Sequence, residues 1–148
     1  MEMRDEIRLP LAITDVWAAL NDPVILQQAI PGCQTLEQIS DTELQASVKV
    51  KIGPVSATFK GSVTLSDLTP PTSYVIAGSG TGGVAGSAKG EAQVTLIEDG
   101  QDTILRYQVS AAVSGKIAQL GSRLIESTAK KLSTQFFTNF TAILNPQT

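Results

Sequence analysis

The sequence predicts an α+β fold in which a curved antiparallel sheet wraps one long C-terminal helix. Apolar residues recur at helical spacing in the proline-free stretch from Ser114 to Leu144. Between Cys33 and Val113, most of the chain alternates apolar and polar residues, as half-buried strands do. Short turns between these runs are typical of an antiparallel meander. Because the sheet and the helix each have one apolar face, we expect the two faces to bury each other.

The chain begins with one strand and two short helices. Met3 to Leu9 alternates apolar and charged residues, which predicts a strand that ends at Pro10. A helix is expected from about Thr14 to Leu20, because its apolar residues share one face. Asp22 can cap a second helix whose first residue is Pro23, and this helix should run to about residue 29.

Six strands joined by short turns follow from Cys33 onwards, and with the first strand they predict a seven-stranded sheet. The turn candidates are Ser40-Asp41, Gly53-Pro54, Thr69-Pro70-Pro71, Gly82-Gly83 and Asp99-Gly100. Several positions on the inner face carry small residues, namely Ala46, Ala57, Gly61, Gly78, Ala92 and Ala111. A concave face with small side chains predicts an apolar hollow that can hold a ligand. A core packed fully around these residues is the alternative.

The last helix is expected over about residues 114–144, with Ser114 as its N-cap. Its apolar face includes Leu120, Leu124 and Phe136. The stretch carries a net charge of +3 and the rest of the chain −6, within the overall charge of −3. A solvated helix surface is the preferred explanation of this asymmetry; the alternative is that it orients the helix towards an anionic membrane or an acidic partner.

The composition is that of one globular domain covering residues 1–148. A net charge of −3 argues against nucleic-acid binding, which normally requires a basic surface. The single cysteine, Cys33, excludes a disulfide within the chain and fits a reducing compartment. Without an apolar leader or a run of about 18 apolar residues, the chain is expected to be soluble and cytoplasmic.

The residue types argue against catalysis and metal binding. The chain has no histidine to act as a general acid or base, and no cysteine cluster to hold a metal. The inner strand positions offer almost no polar groups. Gly78 to Gly83 matches GxGxxG in form, but a strand follows it instead of a helix, so a bent hairpin is expected. We therefore expect no enzyme activity, no cofactor and no metal.

Apolar and aromatic side chains are the remaining candidates for a binding site. Phe59, Tyr107, Leu120, Leu124 and Phe136 are predicted to line the hollow. Trp17 and Tyr74 are predicted to lie near its mouth. The tyrosine hydroxyls could fix the polar head group of a lipophilic ligand.

Five segments resemble one known family over nearly the whole chain. They are VWAALNDP at 16–23, AIPGC at 29–33, KIGPV at 51–55, ATFKG at 57–61 and GKIAQLGSRL at 115–124. The family that they resemble is that of the carbon monoxide dehydrogenase G subunit. The resemblance implies a START-like helix-grip fold, in which a seven-stranded antiparallel sheet surrounds a C-terminal helix and leaves a hydrophobic cavity.

The resemblance also implies an accessory function. The family is associated with molybdenum-containing carbon monoxide dehydrogenases and related hydroxylases, which its members link to the membrane and its quinone pool. Some members carry a C-terminal membrane anchor; this sequence ends at Thr148 soon after the helix, so at most transient membrane contact is expected. The leading hypothesis is a non-enzymatic binding protein for a quinone or lipid-like molecule. The alternatives are a cyclase- or dehydratase-type enzyme on the same fold and a pure assembly or adaptor protein.

Overall fold

The computed structural model describes residues 1–145, which form seven strands, three α-helices and two short 3-10 turns. The predicted domain is seen as far as Asn145, and residues 146–148 lie outside the described part of the chain. The elements, in chain order, are β1 (Glu2–Leu9), α1 (Ile13–Leu20), α2 (Pro23–Ala29), β2 (Cys33–Ser40), β3 (Glu43–Ile52), β4 (Val55–Thr69), β5 (Ser73–Thr81), β6 (Ser87–Asp99), β7 (Asp102–Ser114) and α3 (Ser122–Leu144).

The strands form one antiparallel sheet in the order β1-β7-β6-β5-β4-β3-β2. Strands β2 to β7 pair with their neighbours in sequence, and β1 closes the other edge by pairing with β7. All five predicted turns connect neighbouring strands. The predicted seven-stranded curved sheet is therefore confirmed.

The register places the apolar residues of adjacent strands side by side on the concave face. Val48 lies opposite Phe59, and Val94 lies opposite Tyr107. Gly61 allows β4 and β5 to approach closely, because a Cβ atom at this position would lie 2.1 Å from the carbonyl oxygen of Ser79. The sheet can therefore bend around α3.

The two short helices form as predicted and attach one end of α3 to the sheet. A carboxylate oxygen of Asp22 accepts a hydrogen bond from the backbone N–H of Val24 at 3.0 Å, so Asp22 caps α2. At the other end of α2, the side-chain amide of Asn139 on α3 donates to the carbonyl oxygen of Ala29 at 3.1 Å. This bond holds α2 against the long helix.

The long helix begins later than the sequence predicts, at Ser122. Strand β7 continues to Ser114, and residues Lys116–Leu120 form a 3-10 turn. Ser114 is therefore not an N-cap; its hydroxyl is 2.6 Å from the hydroxyl of Ser87 on β6. Gly121 separates the turn from α3 with a φ of +95°, a conformation that favours glycine. Within residues 1–145, no helix is long and apolar enough to cross a membrane.

The densest packing lies at one end of the molecule, where α1 and the C-terminal half of α3 meet β1 and β7. Leu9, Val16, Leu105 and Phe140 are at most 1% exposed there. Thr103 is also fully buried, and its hydroxyl donates to the carbonyl oxygen of Leu11 at 2.8 Å. Burial of the Thr103 hydroxyl costs little folding free energy because the hydroxyl has a hydrogen-bond partner. The bond joins β7 to the segment between β1 and α1.

Candidate ligand-binding cavity

A hollow of about 470 Å³ lies between the concave face of the sheet, α3 and the end of α2. Aliphatic and aromatic side chains form most of its wall. Leu26 and Ile30 contribute from α2 and its end, Leu44 from the sheet, and Leu132 and Phe136 from α3. Sites for small molecules in proteins are concave, mostly apolar and about 300–1,000 Å³ in volume, so this hollow is of suitable size and character.

A second hollow of about 390 Å³ continues along the same concave face towards the 3-10 turn before α3, where Ile117 lines it. The two hollows share three wall residues, Ala46, Val48 and Val63. Five of the six small inner residues picked out in the sequence line one hollow or both, namely Ala46, Gly61, Gly78, Ala92 and Ala111. The structure therefore contains the space that these residues predict, and the alternative of a fully packed core is wrong.

Aromatic rings connect the larger hollow to the dense core. The ring of Tyr107 stacks on that of Phe137, with centroids 5.8 Å apart. Phe137 meets Phe136 edge to face at 5.0 Å, and Phe136 stacks on the buried Phe140 at 5.7 Å. Sequence reasoning missed both Phe137 and Ser133, which lie four residues apart on α3 and line the hollow together.

Tyr74 is the most buried polar side chain in the wall of the larger hollow. It is 3% exposed, and its ring meets that of Trp17 edge to face at 5.2 Å. No hydrogen bond from residues 1–145 contributes to the pKa of its hydroxyl, and Tyr74 lines the larger hollow. Burial also raises the pKa of Tyr74, so the hydroxyl stays protonated and can donate a hydrogen bond.

Tyr107 lies on the same face of the sheet as Tyr74, two strands away with Val94 between them, and is half-buried. Burial raises the pKa of its hydroxyl, the Ser133 side chain acts in the opposite direction, and the carboxylate of Asp5 raises it further. Asp5 is paired with Tyr107 across strands β1 and β7, but its side chain is exposed and does not line either hollow.

Four polar residues supplement the largely apolar wall of the larger hollow. Asn21, Gln38, Asp41 and Ser133 also line the larger hollow. Asn21 follows α1 and Asp41 lies in the turn between β2 and β3. The alternation of strands does not apply to helix ends and turns, so the sequence pattern could not place these two residues. Asp41 is exposed and is the sole carboxylate that residues 1–145 contribute to the wall of this hollow.

The structure brings together four of the seven predicted site residues on cavity walls. Tyr74, Tyr107 and Phe136 line the larger hollow, and Phe59 lines the smaller one. Contact of any of these residues with a ligand stays a prediction.

The other three predicted residues lie outside the two cavity walls. Trp17 lies behind Tyr74, since its ring packs against the tyrosine. Leu124 packs against Gly53 at the turn between β3 and β4, and Leu120 ends the 3-10 turn. These two leucines were expected in the middle of a longer helix, and the later start of α3 places them at its beginning.

Comparison with a family model matches residues 6–145 to CoxG, the carbon monoxide dehydrogenase G subunit. The resemblance seen in the sequence motifs is thus confirmed. No relative matches in a comparison with curated proteins.

Among solved structures, a conserved protein from Geobacillus kaustophilus is 31% identical, with a TM-score of 0.90; the match covers 95% of this chain and 93% of that one. A START superfamily protein from Mycobacterium smegmatis is 12% identical, with a TM-score of 0.75 and 99% of both chains covered. Ara h 8.0201 is 15% identical, with a TM-score of 0.68 and 97% of both chains covered. These two likenesses show the START-like fold alone.

Proposed function

We propose that this chain, which belongs to the CoxG family of carbon monoxide dehydrogenase, is a non-enzymatic binding protein for a quinone or other lipid-like molecule. The observation that carries the proposal is the apolar hollow of about 470 Å³ beside a densely packed core. In the proposed complex the apolar part of the ligand occupies this hollow, and its polar head meets the hydroxyl of Tyr74.

Apolar burial would supply most of the affinity. A ligand that buries roughly 200 Å² of apolar surface gains about 5 kcal/mol at about 25 cal/mol per Å², before the cost of ordering. The hydroxyl of Tyr74 would add direction, because an uncharged donor aimed into an apolar space pairs best with a carbonyl or ester oxygen. Quinones and acyl lipids both carry such oxygens.

The absence of turnover is part of the proposal. The chain has no histidine, and the carboxylate in the wall of the larger hollow, that of Asp41, is exposed at a turn. We therefore expect the bound molecule to be recovered unchanged after long incubation with the protein, as measured by mass spectrometry of the organic extract. Appearance of a new product would contradict this part of the proposal.

The binding test is a titration with short-chain quinones and fatty acids, followed by the fluorescence of Trp17 and by thermal shift. Trp17 contacts Tyr74 at the wall of the hollow, so its emission should respond to occupancy. Ala46→Leu should lower the affinity at least about tenfold, because the new side chain enters the space of both hollows. Ala112→Leu is the matched control, since Ala112 is exposed on β7 and lies outside both apolar hollows.

Two outcomes would contradict the binding proposal. One is the absence of quenching and of a thermal shift across the whole panel of quinones and fatty acids. The other is an equal loss of affinity in Ala46→Leu and Ala112→Leu, which would place the ligand elsewhere.

Family membership supports a more specific accessory role, in which the protein connects a molybdenum carbon monoxide dehydrogenase or a related hydroxylase to the membrane quinone pool. The test is electron transfer from such a dehydrogenase to quinone in vesicles, with and without this protein. The wild-type chain should increase the rate and Ala46→Leu should not. Equal rates with both proteins would contradict the role while leaving ligand binding intact.

A further inference from the structure

One end of the molecule carries six cations, and the carboxylates nearest to them are those of Glu37 and Glu91, which share surface grooves with Lys60 and Lys89, and that of Glu126, next to the last segment. This basic end consists of residues 49–61, 79–90 and 111–125, which contain no aspartate or glutamate. Its cations are Lys49, Lys51, Lys60, Lys89, Lys116 and Arg123. The ion pairs found within residues 1–145 involve Arg8 and Arg106 and none of these six. The net charge of −3 therefore conceals a strongly polarised surface.

Strand register shows that these segments meet in space. Lys60 lies opposite Thr81 at the end of β5, and Lys89 follows the loop that leads into β6. A Cβ atom on Gly86, in the same loop, would touch the backbone of Ser114 and Gly115, immediately before Lys116. Lys60, Lys89 and Lys116 thus lie next to the loop of residues 82–86, and Lys49, Lys51 and Arg123 lie near the neighbouring turn between β3 and β4.

The tip of this loop is apolar and fully presented to solvent. Val84 is 94% exposed, the largest exposure among the large apolar residues of the described chain. Beneath the loop lies Phe59, because a Cβ atom on Gly82 would come within 2.9 Å of its ring. Phe59 is half-buried and lines the smaller hollow. The basic end therefore combines an apolar loop tip, several cations and an apolar hollow.

From this arrangement we propose that the basic end docks on an anionic lipid surface, with Val84 inserted among the head groups. Lysines and arginines near an anionic bilayer are attracted to it, and an apolar side chain at the tip adds burial. The opposite turns carry Asp67, Glu98, Asp99 and Asp102, so repulsion at that end favours the same orientation. Docking in this way would hold the hollow lined by Phe59 next to the membrane.

The apolar tip favours a membrane over an acidic protein surface as the partner. An acidic protein would pair with the cations but gain little from a lone, fully exposed valine on a glycine-rich loop. A lipid surface can accept both the charges and the valine, because its head groups yield to an inserted side chain.

Vesicle flotation tests the proposal without any ligand, so its result is independent of the proposed binding function. We expect wild-type protein to float with phosphatidylcholine vesicles that contain phosphatidylglycerol and not with phosphatidylcholine alone. The bound fraction should fall as salt rises from about 50 to about 500 mM, since ions screen the attraction.

Matched variants locate the contact. The triple variant Lys60→Glu, Lys116→Glu, Arg123→Glu should abolish flotation. The control Arg4→Glu, Lys130→Glu, Lys131→Glu makes the same change in net charge away from the loop and should retain most of it. Val84→Ser should reduce the bound fraction several-fold. Val24→Ser, an equal change at a valine that is 65% exposed on α2, should not.

Three outcomes would overturn the proposal. The first is no flotation of wild-type protein with anionic vesicles at low salt. If the same protein is instead retained on a polyglutamate column, the result would indicate an acidic protein partner. The second is an equal loss of flotation in the two triple variants, which would mean that net charge determines vesicle binding wherever the cations lie. The third is unchanged binding of Val84→Ser. Circular dichroism of every variant confirms that the fold is retained.

Discussion

The two ends of the sheet have similar sequence patterns and opposite interiors. At the closed end, Leu9, Val16, Leu96 and Phe140 are almost completely buried, and Leu105 lies at the boundary, since it is buried and also lines the larger hollow. Along the rest of the concave face, Phe59, Val63 and other apolar residues are half-buried around two hollows. Strands at both ends alternate apolar and polar residues, so alternation does not account for the difference.

The covering elements account for it. The closed end is covered by α1 and the C-terminal half of α3, and large side chains interdigitate there. Along the hollow face α3 contributes only Leu132 to Phe137, from its middle, and the sheet contributes small residues such as Ala46, Gly61 and Ala111. A fold of this kind can concentrate its stability at one end and keep space for a ligand at the other.

The sharpest way to test this contrast is to remove one ring from each region. Phe140→Ala should lower the free energy of unfolding by about 3–5 kcal/mol, because a fully buried ring leaves a cavity in the dense core. Phe136→Ala should cost less than about 2 kcal/mol, since Phe136 already borders empty space. Urea unfolding followed by Trp17 fluorescence measures both. Equal costs would mean that the two regions are packed alike.

The second largest effect comes from adding volume instead of removing it. Ala29→Leu should destabilise the protein by about 1–3 kcal/mol, because Ala29 is fully buried where α2 meets α3. Ala46→Leu should change stability by no more than about 0.5 kcal/mol, since the new side chain enters a hollow. Thermal or urea unfolding of the two variants decides the point, and a large cost at Ala46 would refute the existence of usable space.

A smaller, pH-dependent effect is expected from Tyr74 at the boundary of the two regions. Burial raises its pKa above the ordinary value of 10.0, so the folded state holds the proton more tightly than the unfolded state. The contribution of Tyr74 to the free energy of unfolding is therefore complete below pH 10 and is lost as the pH rises further. Relative to Tyr74→Phe, wild-type protein should lose about 1.4 kcal/mol per pH unit above about pH 10.

Urea unfolding of wild type and Tyr74→Phe between about pH 8 and about pH 11 measures this difference, because other titrating groups are common to both proteins. Parallel pH profiles for the two proteins would show that Tyr74 is not desolvated in solution. At neutral pH we expect the two stabilities to differ little, since no hydrogen bond from residues 1–145 contributes to the pKa of the hydroxyl.

The smallest effect is expected at α2, which lies between the closed end and the hollow. Asp22→Ala removes the cap of this helix and should cost about 1 kcal/mol. Asp22→Asn is the control, because an asparagine oxygen can accept the same bond and should preserve most of the stability. Amide hydrogen exchange over residues 23–30 should rise in the alanine variant alone; an equal rise in both would contradict the capping role.

Much of the fold could be predicted from local patterns in the sequence. Alternation predicted the seven strands, and Asp22 followed by Pro23 predicted the start of α2. The start of α3 could not be predicted in this way. Residues 114–121 contain apolar positions compatible with helical spacing, and only the pairing of Ser87 with Ser114 and the conformation of Gly121 show that they are not α-helical.

The candidate site was predictable to a smaller degree. Phe59, Tyr74, Tyr107 and Phe136 lie on faces that local spacing predicts, because side-chain direction is fixed by the period of each element. Asn21 and Asp41 escaped prediction since they lie at a helix end and in a turn, where no period applies. The polarised basic end escaped it too, because its cations come from segments far apart in the sequence.

By itself, the sequence determined which side chains point inwards, where most elements begin and end, and to which family the chain belongs. Those properties depend on residues that are neighbours along the chain. Tertiary structure alone decided that the interior is dense at one end and hollow at the other, and that six cations share one surface. How side chains fill the interior, and how charges add up on a surface, depends on distances between residues that are far apart in the sequence. These distances are fixed only when the chain folds.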